Sequence, residues 1–246
     1  MKILVSVRSV EEALLAASGG VDFIDLKEPS RGALGGLPLA TIRSIVDALR
    51  RHGSGLPVSA TIGDVPAHEL NRIAARVDAV AACGVDYVKV GIERTPQAVA
   101  LLDALAASGW PVVPVFIADQ GLDFSHVAHA SALGFPGVMV DTADKQAGSL
   151  FDAVPLPDLR RFASVVRATG CTGGTGGTGG TRVSAALLGL AGALRVEHEP
   201  LLRALAPDFA GFRTAVCVAD RSSALDPLRL RTLVSLLHGQ AIAEWG

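Results

Sequence analysis

Eight short apolar, β-branched segments alternate with helix-like segments along the 246 residues of the chain. The strand-like segments are 3–7, 23–26, 58–62, 87–90, 112–117, 137–140, roughly 184–190 and 209–214. Between them, Ala-rich stretches near 67–82 and 97–108 carry the apolar stripe of a helix packed on one face. This alternation predicts an α/β chain with one domain, 1–246, folded as a TIM (β/α)8 barrel. A doubly wound open sheet is the alternative, but it usually has fewer strands and often a glycine-rich first turn.

The composition narrows the class of protein. Half of the residues are hydrophobic and only 4% are aromatic, a mixture that suits buried parallel strands covered by Ala-rich helices. A net charge of −2 argues against nucleic acid or an anionic membrane as a partner. Cys83, Cys171 and Cys217 are too widely spaced for a zinc site or a disulfide framework. No apolar run reaches the roughly 18 residues of a membrane span. We therefore expect a cytoplasmic protein.

A low-complexity Thr/Gly tract at 171–181 interrupts the pattern. Gly-rich tracts can bind phosphate, but the Gly-Lys-Ser/Thr ending of a phosphate-binding loop is missing here. Because the tract precedes the seventh strand, it falls on the N-terminal face of the predicted barrel, away from the usual active site. We interpret it as an insertion and expect that deleting 172–180 leaves activity nearly intact.

The chain contains four lysines against eighteen arginines. Three of the four, Lys27, Lys89 and Lys145, lie at or just past the end of a strand-like segment, whereas Lys2 is near the N-terminus. An amine can lose its proton and attack a carbonyl, whereas a guanidinium stays charged. The placement of the three lysines therefore indicates chemistry that arginine cannot perform.

The three lysines belong to the second, fourth and sixth strands, and alternate strands of such a barrel share layers of inward side chains. Asp25 precedes Lys27 by two residues and so points to the same side of its strand, and Asp141 ends the sixth strand. Burial and converging cations lower lysine pKa values. A lysine of this kind can form a Schiff base, and a second can act as general acid or base. The alternative is that these lysine–aspartate pairs only close the barrel end.

Phosphate binding is predicted from the loops after the seventh and eighth strands, which often hold phosphate in these barrels. Gly192 lets backbone N–H groups approach an anion, and Arg213 and Thr214 follow the eighth strand. Arg31, in a Gly-rich loop after the second strand, is a candidate for a second anion.

Other polar residues give weaker signals. Ser59 and Thr61, on the third strand, are candidate substrate contacts. His198 has no second histidine or carboxylate group at ligand spacing, so no metal site is predicted.

Five segments of the chain, in order and spanning nearly its whole length, resemble the (5-formylfuran-3-yl)methyl phosphate synthases. The segments are 25–29 with 32–35, 58–66, 87–91, 141–145 and 190–194. The Ser-Ala-Thr-Ile-Gly-Asp and Tyr-Val-Lys-Val-Gly motifs together are quite specific.

The resemblance implies a TIM barrel that condenses two molecules of glyceraldehyde 3-phosphate into the furan precursor of methanofuran. It implies that Lys27 is the Schiff-base lysine and Lys89 the proton acceptor. Lys145, Asp25 and Asp141 match further active-site positions. No metal or organic cofactor is expected.

Two other functions remain open on the residues alone. One is a class I aldolase that acts on another sugar phosphate, and the other is a non-catalytic barrel that binds phosphosugars. The Ala/Leu-rich exterior would suit subunit contacts, so a homo-oligomer is expected.

Overall fold

The computed structural model describes residues 1–32, 34–145, 147–168 and 186–239. Its strands form a closed barrel in which each pairs in parallel with the next and β8 pairs with β1. The strands are β1 (Lys2–Val7), β2 (Phe23–Leu26), β3 (Val58–Thr61), β4 (Tyr87–Ile92), β5 (Val112–Ile117), β6 (Gly137–Asp141), β7 (Leu187–Leu190) and β8 (Phe209–Phe212). The predicted (β/α)8 barrel is confirmed. The predicted insertion at 171–181 lies outside the described residues.

Helices connect successive strands around the outside of the barrel. They are α1 (Val10–Ser18), α2 (Leu39–Arg51), α3 (Leu70–Ala81), α4 (Ala98–Ala107), α5 (Phe124–Ala132), α6 (Leu150–Ala153), α7 (Leu156–Ala168), α8 (Glu199–Leu205) and α9 (Pro227–His238). Side-chain caps begin several of them. The Ser9 hydroxyl accepts a hydrogen bond from the Glu12 N–H at α1, and the Asp226 carboxylate accepts two at α9. The helices predicted near 67–82 and 97–108 are α3 and α4.

Strand alternation divides the apolar side chains into two cores. Outward side chains such as Ile24 and Leu26 are fully buried against the helices. Inward side chains fill the N-terminal half of the barrel, where the Phe23 and Phe209 ring centroids lie 5.6 Å apart. Gly189 makes room for this packing, because a Cβ there would lie 2.2 Å from a Phe209 ring atom. The barrel interior is therefore apolar at this end, where Phe23 and Phe209 border a second cavity.

Towards the C-terminal ends of the strands, the inward positions become polar. Ser6 pairs with Asp25, and Asp25 pairs with Ser59, so three neighbouring strands place polar side chains at one level. Lys89 lies two residues after Tyr87, which pairs with Ser59. This change from apolar to polar side chains determines where chemistry can take place.

The structure ends one predicted strand early. In the segment predicted at 209–214, β8 ends at Phe212, because Arg213 (ψ −65°) leaves the extended conformation and Thr214 begins a short 3-10 helix. Of the segment predicted at 184–190, residues 184 and 185 lie outside the described part of the chain, and β7 occupies Leu187–Leu190.

Candidate active site

A cavity of about 520 Å³ that is open to solvent lies at the C-terminal ends of the strands. Its ionisable side chains come from β2, β4 and β6 and from the segments that follow β2, β6 and β8. They are Asp25, Lys27, Lys89, Asp141, Lys145, Arg213 and Arg221. The three lysines and two aspartates that the sequence predicts as catalytic thus line one cavity.

The Asp25 centre consists of Asp25, Lys89, Ser59 and Ser6, all of which lie on strands. Oδ1 of Asp25 accepts hydrogen bonds from Ser59 Oγ at 2.7 Å and from Lys89 Nζ at 3.0 Å. Oδ2 accepts one from Ser6 Oγ at 3.1 Å. Burial alone would raise the pKa of Asp25, but the charges of Lys89 and Lys27 and these hydrogen bonds outweigh it and lower the pKa. Asp25 is therefore an ionised, fixed carboxylate.

The Asp141 centre consists of Asp141, Lys27, Lys145 and Thr142. Oδ2 of Asp141 accepts from Lys27 Nζ at 3.3 Å, while Oδ1 accepts from Lys145 Nζ and from the Thr142 N–H at 2.8 Å. Burial opposes ionisation, but Lys145 and Lys27 more than compensate, so the pKa of Asp141 lies well below its ordinary value. Two amines thus share one carboxylate.

The environment of Lys145 favours the neutral amine. Its side chain is 8% exposed. Burial is the main cause that lowers its pKa to about 8, and the nearby charges of Lys27 and Arg221 act in the same direction, against the effect of Asp141. Lys145 can therefore exchange a proton near neutral pH.

Asp119 holds the segment that carries Lys145. Its carboxylate accepts hydrogen bonds from the N–H groups of Ala143 and Asp144, the latter at 2.9 Å. The sequence alone does not indicate this bracing role, because it depends on how the loop after β6 folds back.

Three predicted substrate-binding residues, Ser59, Thr61 and Arg31, lie apart from the cavity lining. The Ser59 hydroxyl instead donates to Asp25. The Thr61 hydroxyl is fully buried and donates to the Gly35 carbonyl at 3.0 Å. Arg31 is exposed to solvent. A substrate contact by any of these three residues stays a prediction.

The predicted phosphate-binding residues Gly192, Arg213 and Thr214 all line the cavity. Gly192 (φ 118°) and the following Ala193 (φ 45°) adopt left-handed conformations that shape the turn after β7. The Arg213 guanidinium binds the Glu12 carboxylate and three backbone carbonyls. Its five N–H donors are therefore all used within the protein.

Sequence reasoning missed two polar residues that line the cavity, Ser6 and Arg221. Ser6 had a signal, because it is the polar residue within the apolar strand Lys2–Val7. Arg221 had none, since its position depends on the path of the long segment after β8.

The described part of the chain shows neither a metal-binding cluster nor a membrane-spanning helix. No group of three or more His, Cys, Asp or Glu residues there could hold a metal ion. Likewise, no helix among the described residues has both the length and the apolar character of a membrane span.

Comparison with known families identifies the chain. Residues 3–234 match the family model described as 4-HFC-P synthase. The chain belongs to the 4-HFC-P synthase family. The family resemblance predicted from the motifs is therefore confirmed, as is the prediction that the chain is an enzyme of this kind.

Individual members of the 4-HFC-P synthase family are similar to this chain over nearly its full length. A protein of Methylorubrum extorquens is 36% identical over 99% of this chain and 94% of its own length. Among the relatives named (5-formylfuran-3-yl)methyl phosphate synthase are two archaeal proteins. The one from Archaeoglobus fulgidus is 32% identical over 97% of this chain and 100% of its own. The one from Methanosarcina mazei is 30% identical over 96% of this chain and 98% of its own length.

Solved structures share the fold of this family member at low sequence identity. Phosphoribosyl anthranilate isomerase from Thermus thermophilus superposes with a TM-score of 0.64 at 18% identity, covering 97% of this chain and 99% of that one. 3-Hexulose-6-phosphate synthase from Salmonella typhimurium superposes with a TM-score of 0.61 at 19% identity, covering 98% of this chain and 100% of that one. These similarities support the barrel alone.

Proposed function

We propose that the chain is a (5-formylfuran-3-yl)methyl phosphate synthase that condenses two molecules of glyceraldehyde 3-phosphate through a lysine imine. The observation that carries the proposal is the convergence of Lys27, Lys89 and Lys145 on two buried carboxylates in one cavity. The names of the Archaeoglobus and Methanosarcina relatives support the same product.

The charge of the cavity suits a phosphorylated substrate. Lys27, Lys89, Lys145 and Arg221 supply more positive charge than Asp25 and Asp141 can balance, while Arg213 is already paired with Glu12. Such an excess raises the local concentration of anions and favours their binding. A dianionic triose phosphate fits this field.

The reaction is redox-neutral. Two molecules of C3H7O6P give C6H7O6P, one phosphate and two waters, so the atoms balance without an oxidant or reductant. What the protein must supply is a nucleophilic amine, a place for the phosphates and groups that move protons.

Lys27 is the proposed imine former. Its amine lies at the end of β2 beside Asp141, and its charge also acts on Asp25, so it borders both centres. Attack on the aldehyde carbon releases water and forms the imine, which acidifies the neighbouring C–H bond.

Lys89 is the proposed proton acceptor. Removal of the C–H proton next to the imine, followed by loss of phosphate, leaves an enol. The second triose phosphate isomerises, moving its carbonyl from the terminal to the central carbon, and the enol attacks that carbon, because only this bond places the phosphorylated methylene at the 3-position of the furan. Ring closure, loss of two waters and hydrolysis of the imine then release the furan aldehyde. The Asp25 carboxylate, 3.0 Å from Lys89 Nζ, can stabilise the protonated amine after each transfer.

Incubation with glyceraldehyde 3-phosphate tests the proposal. We expect a furan absorbance to appear together with one inorganic phosphate for each furan formed. Borohydride trapping of an adduct without furan would instead identify a class I aldolase. Saturable binding with neither signal would identify a non-catalytic phosphosugar-binding barrel.

A further inference from the structure

The segment after β8 brings an unpredicted arginine to the cavity. This β8 loop, residues 213–226, leaves the barrel at Arg213 and returns to α9 at Asp226. Arg221, within the turn of the loop, lines the cavity together with Lys145, Gly192 and Thr214.

The β8 loop is braced by its own hydrogen bonds. Cys217 and Leu225 form an antiparallel bridge, and the Val218 N–H donates to the Ala224 carbonyl at 3.0 Å. At the turn, Asp220 Oδ1 accepts from the N–H groups of Ser222 at 2.8 Å and Ser223 at 3.1 Å. The backbone of Arg221 therefore lies within an ordered turn.

Arg213 ties this turn to the barrel. Its guanidinium donates to the carbonyls of Arg221 at 2.8 Å and Ser223 at 2.7 Å. The same group binds Ser6 O on β1 at 3.0 Å and forms a buried ion pair with Glu12 on α1. The position of Arg221 is thus linked to two elements of the scaffold.

The Arg221 guanidinium itself is left available. Within the described parts of the chain it has no hydrogen-bond or ion-pair partner, although it is partly buried. Burial lowers its pKa, and the Asp141 charge opposes that effect, but an arginine remains charged at neutral pH. A partly buried cation without a partner is costly, so an anion from outside the protein would stabilise it.

We propose that Arg221 binds a phosphate group of the substrate and that Arg213 positions it for that contact. The inference rests on the proposed function for the identity of the substrate. A guanidinium can hold phosphate through two parallel hydrogen bonds. It also exchanges no proton with the ligand, whereas a phosphate paired with Lys27 or Lys145 would keep those amines charged and unreactive. Arg221 would thereby separate phosphate binding from amine chemistry.

Binding of glycerol 3-phosphate tests the proposal without turnover, because this compound carries the phosphate but lacks a carbonyl. By calorimetry, we expect Arg221→Gln to bind it about 10- to 100-fold more weakly than the wild type. Arg221→Lys keeps the charge but loses the paired N–H donors of the guanidinium, so its affinity for glycerol 3-phosphate should lie between those of the wild type and Arg221→Gln. The matched control is Arg231→Gln, an exposed position on α9, which should bind as the wild type does.

Kinetics and a second variant separate the roles. With glyceraldehyde 3-phosphate, Arg221→Gln should raise KM more than it lowers kcat. Arg213→Lys should weaken glycerol 3-phosphate binding as Arg221→Gln does, provided that its circular dichroism spectrum stays native. Unchanged binding of glycerol 3-phosphate by folded Arg221→Gln would overturn the inference even if the wild type makes the furan. A wild type that makes no furan but binds glycerol 3-phosphate through Arg221 would overturn only the proposed reaction.

Discussion

The Asp25 centre and the Asp141 centre each combine a buried carboxylate with lysine, yet they are built differently. Every member of the Asp25 centre lies on a strand, and its carboxylate accepts from one amine and two hydroxyls. The Asp141 centre takes Lys27 from the end of β2 and Lys145 from the loop after β6, so its carboxylate accepts from two amines.

The difference separates a rigid centre from an adaptable one. Strand backbones and hydroxyl donors fix Asp25, which suits repeated proton transfer to and from Lys89 at a constant distance. At the Asp141 centre, withdrawal of either amine still leaves Asp141 paired with the other. One of those amines can therefore become an imine without leaving a buried carboxylate alone, a situation that costs several kcal/mol.

The largest expected effect on furan formation comes from replacing one lysine by arginine, in one centre at a time. Lys27→Arg keeps a charge beside Asp141 but removes the amine that forms the imine. We expect no borohydride-trapped adduct and a loss of furan formation of at least about 1,000-fold, because the covalent route is closed. Lys89→Arg should slow turnover by about 100- to 10,000-fold but still give an adduct on Lys27. Mass spectrometry of the trapped protein distinguishes the two.

Lys2 provides the control for this comparison. It lies at the start of β1, its ammonium is over the Phe23 ring, and it is outside the cavity lining. Lys2→Arg should retain both adduct and activity. An adduct mapped to Lys89 in the wild type, with Lys27 unmodified, would reverse the roles assigned to the two centres. An adduct on Lys145 would keep the imine in the Asp141 centre but contradict the role assigned to Lys27.

The next effect is a pH dependence that belongs to the Asp141 centre. The pKa of Lys145 is lowered to about 8, chiefly by burial. Below that pH the amine is mostly charged, and it becomes neutral as the pH rises through 8. If Lys145 accepts a proton during turnover, kcat should increase roughly tenfold from pH 7 to pH 9. Lys145→Arg should lose this limb of the kcat profile. If kcat of Lys145→Arg still rises between pH 7 and pH 9, the titrating group is not Lys145.

Much of this arrangement could be predicted from local sequence. A period of two along a strand places Asp25 and Lys27 on one side, and counting strands places three lysines on even strands. Both arguments use neighbours in the chain or the regular symmetry of a barrel. They remain valid because the eight strands close in sequence order.

Other features depend on contacts between residues far apart in the chain. Arg213 was predicted to bind phosphate from its place after a strand, whereas its guanidinium is occupied by Glu12 on α1. Neither that ion pair nor the loop path that brings Arg221 to the cavity produces a periodic pattern in the sequence from which it could be predicted. The choice of which lysine shares which carboxylate also depends on barrel stagger, which pairs Thr61, rather than Ser59, with Lys89.

The smallest expected effect tests whether hydroxyl donors keep the Asp25 centre rigid. Ser59→Ala removes the 2.7 Å hydrogen bond to Asp25 and should cost about 1–2 kcal/mol of unfolding free energy at pH 7. With that donor gone, the pKa of Asp25 should rise towards its ordinary value of 3.8. A lowered carboxylate pKa stabilises the fold above the unfolded pKa, and that stabilisation is lost as the pH falls through the folded pKa. The difference between wild type and variant, measured by urea unfolding, should therefore shrink below about pH 4.

The matched control for Ser59→Ala is Ser131→Ala, which removes a buried hydroxyl on α5 that donates to the Val127 carbonyl at 2.9 Å rather than to a carboxylate. Its cost should stay constant with pH, and turnover should not change. Ser59→Ala should lower kcat a few-fold while leaving the adduct on Lys27. Equal pH profiles for the two variants would mean that Ser59 contributes only packing, and the contrast between a rigid Asp25 centre and an adaptable Asp141 centre would then rest on the strand backbones alone.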